Sequence, residues 1–191
     1  MRTHARTVIR LRAPCPGGRI PRVPASRTEL SRWQFDLTWS LFDYHLADLE
    51  QADFRWEPSA LCWTIRPDGT PDWADTEPDP IPAPTIAWLT WHIGWWWSVA
   101  LDHANGRAPR EREEITWPGE ESTIEWLRGL REEWLAVLDR LTDADLDAPC
   151  AYPWGEDARL TFAHTVAWVN SELMKNVSEI GQLRVLRRGS V

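Results

Sequence analysis

The clearest pattern of hydrophobic and polar positions lies near the C-terminal end of the chain. From Leu160 to Arg187, apolar residues recur at steps of three and four, the spacing of one buried helix face. Glu172 and Asn176 fall within that face, where a carboxylate needs a cation, a metal, several hydrogen-bond donors or a proton. We therefore predict one long helix with polar chemistry on its buried side. Its apolar positions are Val166, Val169, Leu173, Val177, Ile180 and Leu183.

A first helix is predicted to begin at Ser26, where the sequence S-R-T-E has the form of a capping box, and to end near Ala52. Apolar residues at helical spacing predict its buried face. They are Leu30, Trp33, Leu37, Leu41 and Tyr44. His45 lies beside this face and is more typical of a hydrogen-bonded core or rim residue than of a ligand.

A second helix is predicted from Thr85, a suitable N-cap, to the stop signal Asn105-Gly106. His92 falls on its inward face, which is formed by Ile86, Leu89, Ile93, Trp96 and Ala100. Five tryptophans surround this helix on nearly all sides, so we expect it to be central in a bundle or to form half of a dimer contact. A third helix follows the capping box S-T-I-E at residues 122–125.

A long loop rich in proline and tryptophan separates the first two helices. Residues 53–84 contain seven prolines, which forbid a continuous helix, and we expect Trp56, Trp63 and Trp73 to pin the loop against the body. Cys62 in this loop is interpreted as a small apolar side chain rather than a reactive thiol. With no convincing strand pair, the four helices predict an all-α four-helix bundle over residues 26–188.

Charge and composition narrow the classes of function. No apolar run approaches the roughly 20 residues that a membrane span needs, which predicts a soluble protein without a membrane partner. Residues 1–25 are rich in arginine, proline and glycine and predict a disordered basic arm. The remainder is acidic, which argues against nucleic-acid binding. Three cysteines, Cys15, Cys62 and Cys150, have no CxxC spacing, which favours free thiols in a reducing cytoplasm.

Three polar residues on inward helix faces form the candidate site: His92, Glu172 and Asn176. Helical bundles commonly build metal sites from such residues on facing helices, with two ligands one turn apart. A metal-free cluster of hydrogen-bonded polar groups is the alternative, and the spacing leaves both open. His45 is a further candidate ligand, whereas His164 lies eight residues before Glu172 and is too distant along the helix.

Several segments together resemble the DinB-like superfamily, nearest to its actinobacterial branch of mycothiol-dependent maleylpyruvate isomerases. They are WEPSALCWTIRPDG, WADTEPDP, TIAWLTWHIGWWW and WVNSELMKNVSEIGQLRVL, in this order. The resemblance implies a four-helix bundle, often dimeric, with a divalent metal held by His92, Glu172 and a third ligand that is normally histidine. Asn176 stands in that third position. An amide oxygen is a weak donor for zinc, so this set should bind zinc less tightly than one with two histidines.

Two functions follow as expectations. The resemblance implies a transferase or isomerase that uses a low-molecular-weight thiol such as mycothiol, with zinc, nickel or manganese at His92, Glu172 and Asn176. The cysteine spacing predicts a cytoplasmic location. The alternative is a non-catalytic, dimerising bundle whose metal-free remnant pocket binds a small molecule or nothing. A role on damaged DNA is disfavoured by the acidic body. No residue identifies the substrate.

Overall fold

The computed structural model describes residues 26–155 and 159–189, and helices dominate it. The predicted basic arm, residues 1–25, lies outside the described residues. The all-α prediction is confirmed, apart from two strands of two residues each that pair in parallel. The helices are α1 (Arg27–Leu46), α2 (Gln51–Phe54), α3 (Ile86–Ala104), α4 (Thr123–Arg140) and α5 (Phe162–Gly189), and the strands are β1 (Cys62–Trp63) and β2 (Ala83–Pro84).

The four long helices close into a bundle around one core. α5 packs against α1 and α3, and α4 packs against α3 and α1. The predicted apolar faces of α3 and α5 are buried in this core. Four of the five α3 tryptophans are also buried within the single chain, so the central position of α3 accounts for them without a dimer contact. No helix of the described chain is both long and apolar enough to span a membrane.

The predicted buried face of α1 is wrong. Leu30, Trp33, Leu37 and Tyr44 are half or more exposed. A second stripe at helical spacing is buried instead, because it carries the larger aromatic groups that fill the core beside α3, where Phe35 and Trp39 lie against Trp97. This stripe consists of Phe35, Thr38, Trp39, Phe42 and Leu46.

The two predicted capping boxes differ in outcome. The Ser26 side chain accepts a hydrogen bond from the Glu29 backbone N–H at 3.1 Å, as predicted for the start of α1. Ser122 precedes α4 but makes no such bond, so the second prediction is wrong; its helical backbone angles do not aim the hydroxyl at the first-turn amides. α1 also ends at Leu46, before the predicted Ala52, and a separate short helix follows it.

The loop between α1 and α3 is pinned against the bundle by tryptophans, as predicted. Trp63 stacks on Trp88 of α3 with ring centroids 4.9 Å apart, and Trp73 lies parallel to both at 6.5 Å. The Trp88 indole N–H donates to the Asp72 carbonyl at 2.7 Å. The loop is therefore packed against the first turns of α3.

Two glycines in the bundle have opposite surroundings. A Cβ built on Gly94 of α3 would lie 1.7 Å from the Trp126 ring of α4, whereas a Cβ on Gly129 of α4 would meet no atom within 4 Å. Only the first glycine is required by a close helix contact.

We expect Gly94→Ala to destabilise the protein by about 1–3 kcal/mol, because the half-buried Trp126 indole must be displaced. Gly129→Ala is the matched control, and it should stabilise by about 0.5–1 kcal/mol because alanine is the better helix former. Urea unfolding followed by circular dichroism measures both. A stabilising Gly94→Ala would contradict the close contact between α3 and α4.

Candidate functional site

Helices α3 and α5 bring the predicted site residues together. His92 projects from α3 and Glu172 from α5, and the His92 Nε2 to Glu172 Oε1 distance is 3.6 Å. Both side chains are largely buried, with exposed fractions of 16% and 17%. Asn176 lies one turn further along α5 and is buried. These three residues, with Lys175 and Glu179, are called the polar cluster below.

The side chain of Asn176 is held at both ends by protein groups. Its Oδ1 accepts a hydrogen bond from the Trp96 indole N–H at 3.2 Å, and its Nδ2 donates to Glu179 Oε2 at 3.0 Å. One of the two lone pairs of the oxygen that a metal would need is therefore used by an indole on α3. Because the indole N–H is also buried, breaking this bond would leave a buried donor unpaired.

Lys175 forms an ion pair with Glu172. The Lys175 ammonium contacts Glu172 Oε1, the same oxygen that lies nearest to His92. Burial raises the pKa of Glu172, but the contacts with His92 and Lys175 together lower it by more than burial raises it. The pKa of Glu172 therefore lies below its usual value. Glu172 is consequently an ionised carboxylate whose charge is compensated within the chain.

His92 is fixed by aromatic contacts. Its ring stacks on Trp88 at 4.8 Å with an interplanar angle of 11°, and the Trp95 ring lies edge-on at 5.8 Å. The buried Nδ1 atom has no hydrogen-bond partner among the described residues. Metal-bound histidines usually donate this second N–H to a carboxylate or carbonyl, which fixes the tautomer. That support is missing for His92 in the described part of the chain.

The polar cluster does not fit a zinc-like ion. His92 and Glu172 are close enough to share one, but the Asn176 oxygen is engaged by Trp96 and the Lys175 ammonium adds a positive charge at Glu172. Within residues 26–155 and 159–189, no group of three histidine, cysteine, aspartate or glutamate side chains is arranged to hold a metal. The donor set thus offers two strong ligands where stable zinc sites use three or four.

The other candidate residues lie apart from the cluster. His45 packs on Gly181, where a Cβ would come within 2.4 Å of its ring, more than one helical turn beyond Asn176. Burial, with the charge of Arg184, lowers the pKa of His45. Burial raises the pKa of the Cys62 thiol, in agreement with the interpretation of Cys62 as an unreactive side chain.

A cavity of about 330 Å³ opens beside the cluster, which is at the lower end of the sizes typical of small-molecule sites. We call it the tryptophan pocket. Its apolar walls come from the 53–84 loop and the start of α3, and its polar end comes from α5 and His92. The lining comprises Trp63, Trp73, Glu77, Ile81, Pro82, Pro84, Trp88, Leu89, His92, Lys175, Asn176 and Glu179.

Trp96 and Glu179 are the site residues that sequence reasoning missed. The spacing predicts that Trp96 lies on the core face of its helix, but nothing in the spacing indicates that its N–H reaches across to α5. Glu179 does carry a signal, because it follows Asn176 by three positions and such pairs are neighbours on a helix surface. The same spacing relates Glu172 to Lys175.

Comparison with known proteins places the chain in a family. A family model described as the DinB superfamily matches residues 34–180. No curated protein matches the chain. A conserved protein from Enterococcus faecalis superposes with a TM-score of 0.61 at 14% identity, covering 87% of this chain and 99% of its own. An uncharacterised protein from Escherichia coli UTI89 gives a TM-score of 0.53 at 12% identity, covering 84% and 93%. At these identities the two structures show the fold alone.

We expect the contribution of Glu172 to stability to depend on pH. Because its pKa is lower in the folded than in the unfolded chain, the stabilisation is fully present above the ordinary glutamate pKa of about 4.3 and is lost as pH falls through the lowered folded value. The difference in unfolding free energy between wild type and Glu172→Gln, measured by urea unfolding, should shrink on acidification. A matched control is Glu125→Gln, at an exposed carboxylate. A difference that grows at acidic pH would contradict the compensated charge.

Proposed function

The chain belongs to the DinB superfamily, and we propose that it is a metal-independent member whose tryptophan pocket binds a small organic molecule. One observation carries this proposal: Asn176, in the third ligand position, gives its oxygen to Trp96 and its amide N–H to Glu179. A residue held in this way supports the packing of α3 on α5. Only the second lone pair of its oxygen remains for a metal, and the two hydrogen bonds fix the direction in which that lone pair points.

The lining of the pocket favours a neutral or cationic ligand over an anionic one. Two carboxylates, Glu77 and Glu179, face the cavity with one ammonium, Lys175, which already contacts Glu172. Three indoles supply apolar and π surface, which attracts organic cations as well as flat neutral groups. The dianion of a dicarboxylic acid would meet repulsion here, so a maleylpyruvate-like substrate is disfavoured.

A metal-dependent thiol transferase or isomerase is the second candidate, and the closeness of His92 and Glu172 favours it. In that role a bound zinc, nickel or manganese ion would activate a low-molecular-weight thiol such as mycothiol by lowering its pKa. His92 and Glu172 are the residues suited to hold the ion. We rank this function second because neither Asn176 nor the charge of Lys175 suits it.

We also propose that the exposed stripe of α1 pairs with a second copy of the chain. Leu30, Trp33 and Leu37 line a groove of about 540 Å³ between α1 and α5, closed on the α5 side by Met174. Such a stripe on one helix is self-complementary across a two-fold axis, as isologous dimers require.

A cytoplasmic location remains a prediction from the cysteine spacing.

Three probes of one shape but different charge test the pocket: choline, 3,3-dimethylbutan-1-ol and 3,3-dimethylbutanoate. We expect the first two to shift the indole N–H signals of Trp63 and Trp88 in NMR titrations, with the anion at least about tenfold weaker because of the two carboxylates. Treatment with EDTA should leave these affinities unchanged. Glu179→Gln should reduce the preference over the anion, and Glu125→Gln should not. Binding that disappears with EDTA, or that is tightest for the anion, would overturn the proposal.

Light scattering coupled to size-exclusion chromatography tests the dimer. The wild type should elute with twice the chain mass, and Trp33→Ser should shift it towards the monomer, because Trp33 is 60% exposed in the single chain. Trp154→Ser, at an indole that is also exposed but far from α1 in sequence, is the matched control. A wild-type monomer, or a dimer indifferent to Trp33→Ser, would contradict this interface.

A further inference from the structure

The position of the only lysine of the chain is unusual. All other basic residues among the 21 are arginines, yet a lysine stands within the polar cluster. Its ammonium contacts Glu172 Oε1, and the same oxygen lies 3.6 Å from His92 Nε2. A single carboxylate oxygen thus faces a permanent cation on one side and the imidazole on the other.

We propose that Lys175 takes the place of the divalent cation: its ammonium is the built-in counter-ion of Glu172 and keeps metal ions off the His92–Glu172 pair. The inference rests on the proposed metal-independent function and deepens it. It assigns to Lys175 a role in deciding what the site binds, which neither the fold nor the family membership gives.

The local geometry favours the contact between Lys175 and Glu172. Lys175 follows Glu172 by three positions, and side chains at this spacing are neighbours on a helix. The Lys175 side chain is 53% exposed, so its ammonium keeps much of its hydration while it contacts a carboxylate that is 17% exposed. Lysine presents a compact point charge, whereas the planar guanidinium of arginine favours two-pronged contacts.

Electrostatics explain why this contact opposes metal binding. A divalent ion on Glu172 Oε1 would lie close to the ammonium, and like charges at such separations repel each other. The other carboxylate beside the cluster, Glu179, accepts from Asn176 and offers no compensating contact to Lys175 among the described hydrogen bonds. Lys175 is also the only cationic side chain among the described residues that line the pocket, counting His92 as neutral.

Asn176 in the third ligand position and the charge of Lys175 are two separate obstacles to a metal ion, and each can be removed on its own. Restoring histidine at position 176 supplies the missing ligand at the correct spacing from Glu172, since residues four apart share a helix face. If Lys175 also opposes metal binding, the Asn176→His substitution alone should not be sufficient for tight zinc binding. Removing the positive charge as well should then raise the affinity for zinc.

Zinc affinities of three variants test this. Asn176→His, Lys175→Gln with Asn176→His, and Lys175→Arg with Asn176→His are titrated against a chromophoric chelator. The His92→Ala counterpart of each variant corrects for zinc bound elsewhere. We expect the variant with glutamine to bind zinc about tenfold or more tightly than Asn176→His alone. The variant with arginine should resemble Asn176→His alone, because it keeps the charge. Equal affinities of the glutamine and arginine variants would overturn the proposal.

Two further measurements keep the test decisive if histidine at position 176 disturbs folding. The unfolding transition of Asn176→His itself shows whether α5 accepts the imidazole at this position. Lys175→Gln alone alters an exposed residue and should bind zinc more tightly than the wild type through His92 and Glu172; an unchanged affinity would count against the proposal. One equivalent of zinc in the purified wild type would instead refute the metal-independent function itself.

Discussion

The hydrogen bond from the Trp96 indole to Asn176 is the interaction on which the arrangement of the site depends. Trp96 is fixed on its own helix by stacking on Trp97 at 5.9 Å, and on α5 by an edge contact with Trp168 at 5.3 Å. The Tyr152 hydroxyl donates to the Trp96 carbonyl at 2.9 Å. With its ring held in this way, the indole N–H donates to the Asn176 oxygen. An amide can meet this demand and still donate to Glu179, whereas a metal-bound histidine could not.

The remaining polar groups follow from this constraint. Without a third strong ligand, Glu172 and His92 form a pair rather than part of a complete coordination sphere, and burial of the carboxylate calls for a cation. Lys175 supplies it from the neighbouring turn. The chain therefore keeps the helical scaffold of the DinB superfamily while its polar residues compensate one another. The tryptophan pocket beside them is the proposed ligand site.

Much of the fold could be predicted from the sequence, because α5 carries one dominant apolar stripe, α3 is apolar on nearly all sides, and the loop between α1 and α3 is marked by its prolines. The buried face of α1 could not. This helix has two apolar stripes, and periodicity cannot tell which of them meets α3 and which faces outward; only the packing of Phe35 and Trp39 on Trp97 decides it. His92, Glu172 and Asn176 were found from spacing and resemblance. Their hydrogen-bond partners could not be found in this way, since Trp96 and Asn176 lie 80 positions apart in the sequence.

One point matters most: the Asn176 oxygen accepts the hydrogen bond of the Trp96 indole and does not ligate a metal. The most direct measurement follows the Trp96 indole N–H signal in ¹H–¹⁵N spectra, assigned with Trp96→Phe, while zinc is added to the wild-type protein. We expect the signal to keep its hydrogen-bonded position and stoichiometric zinc not to move it. A shift of the Trp96 indole signal that is complete at one equivalent of zinc, together with a shift of the His92 ring signals, would contradict it.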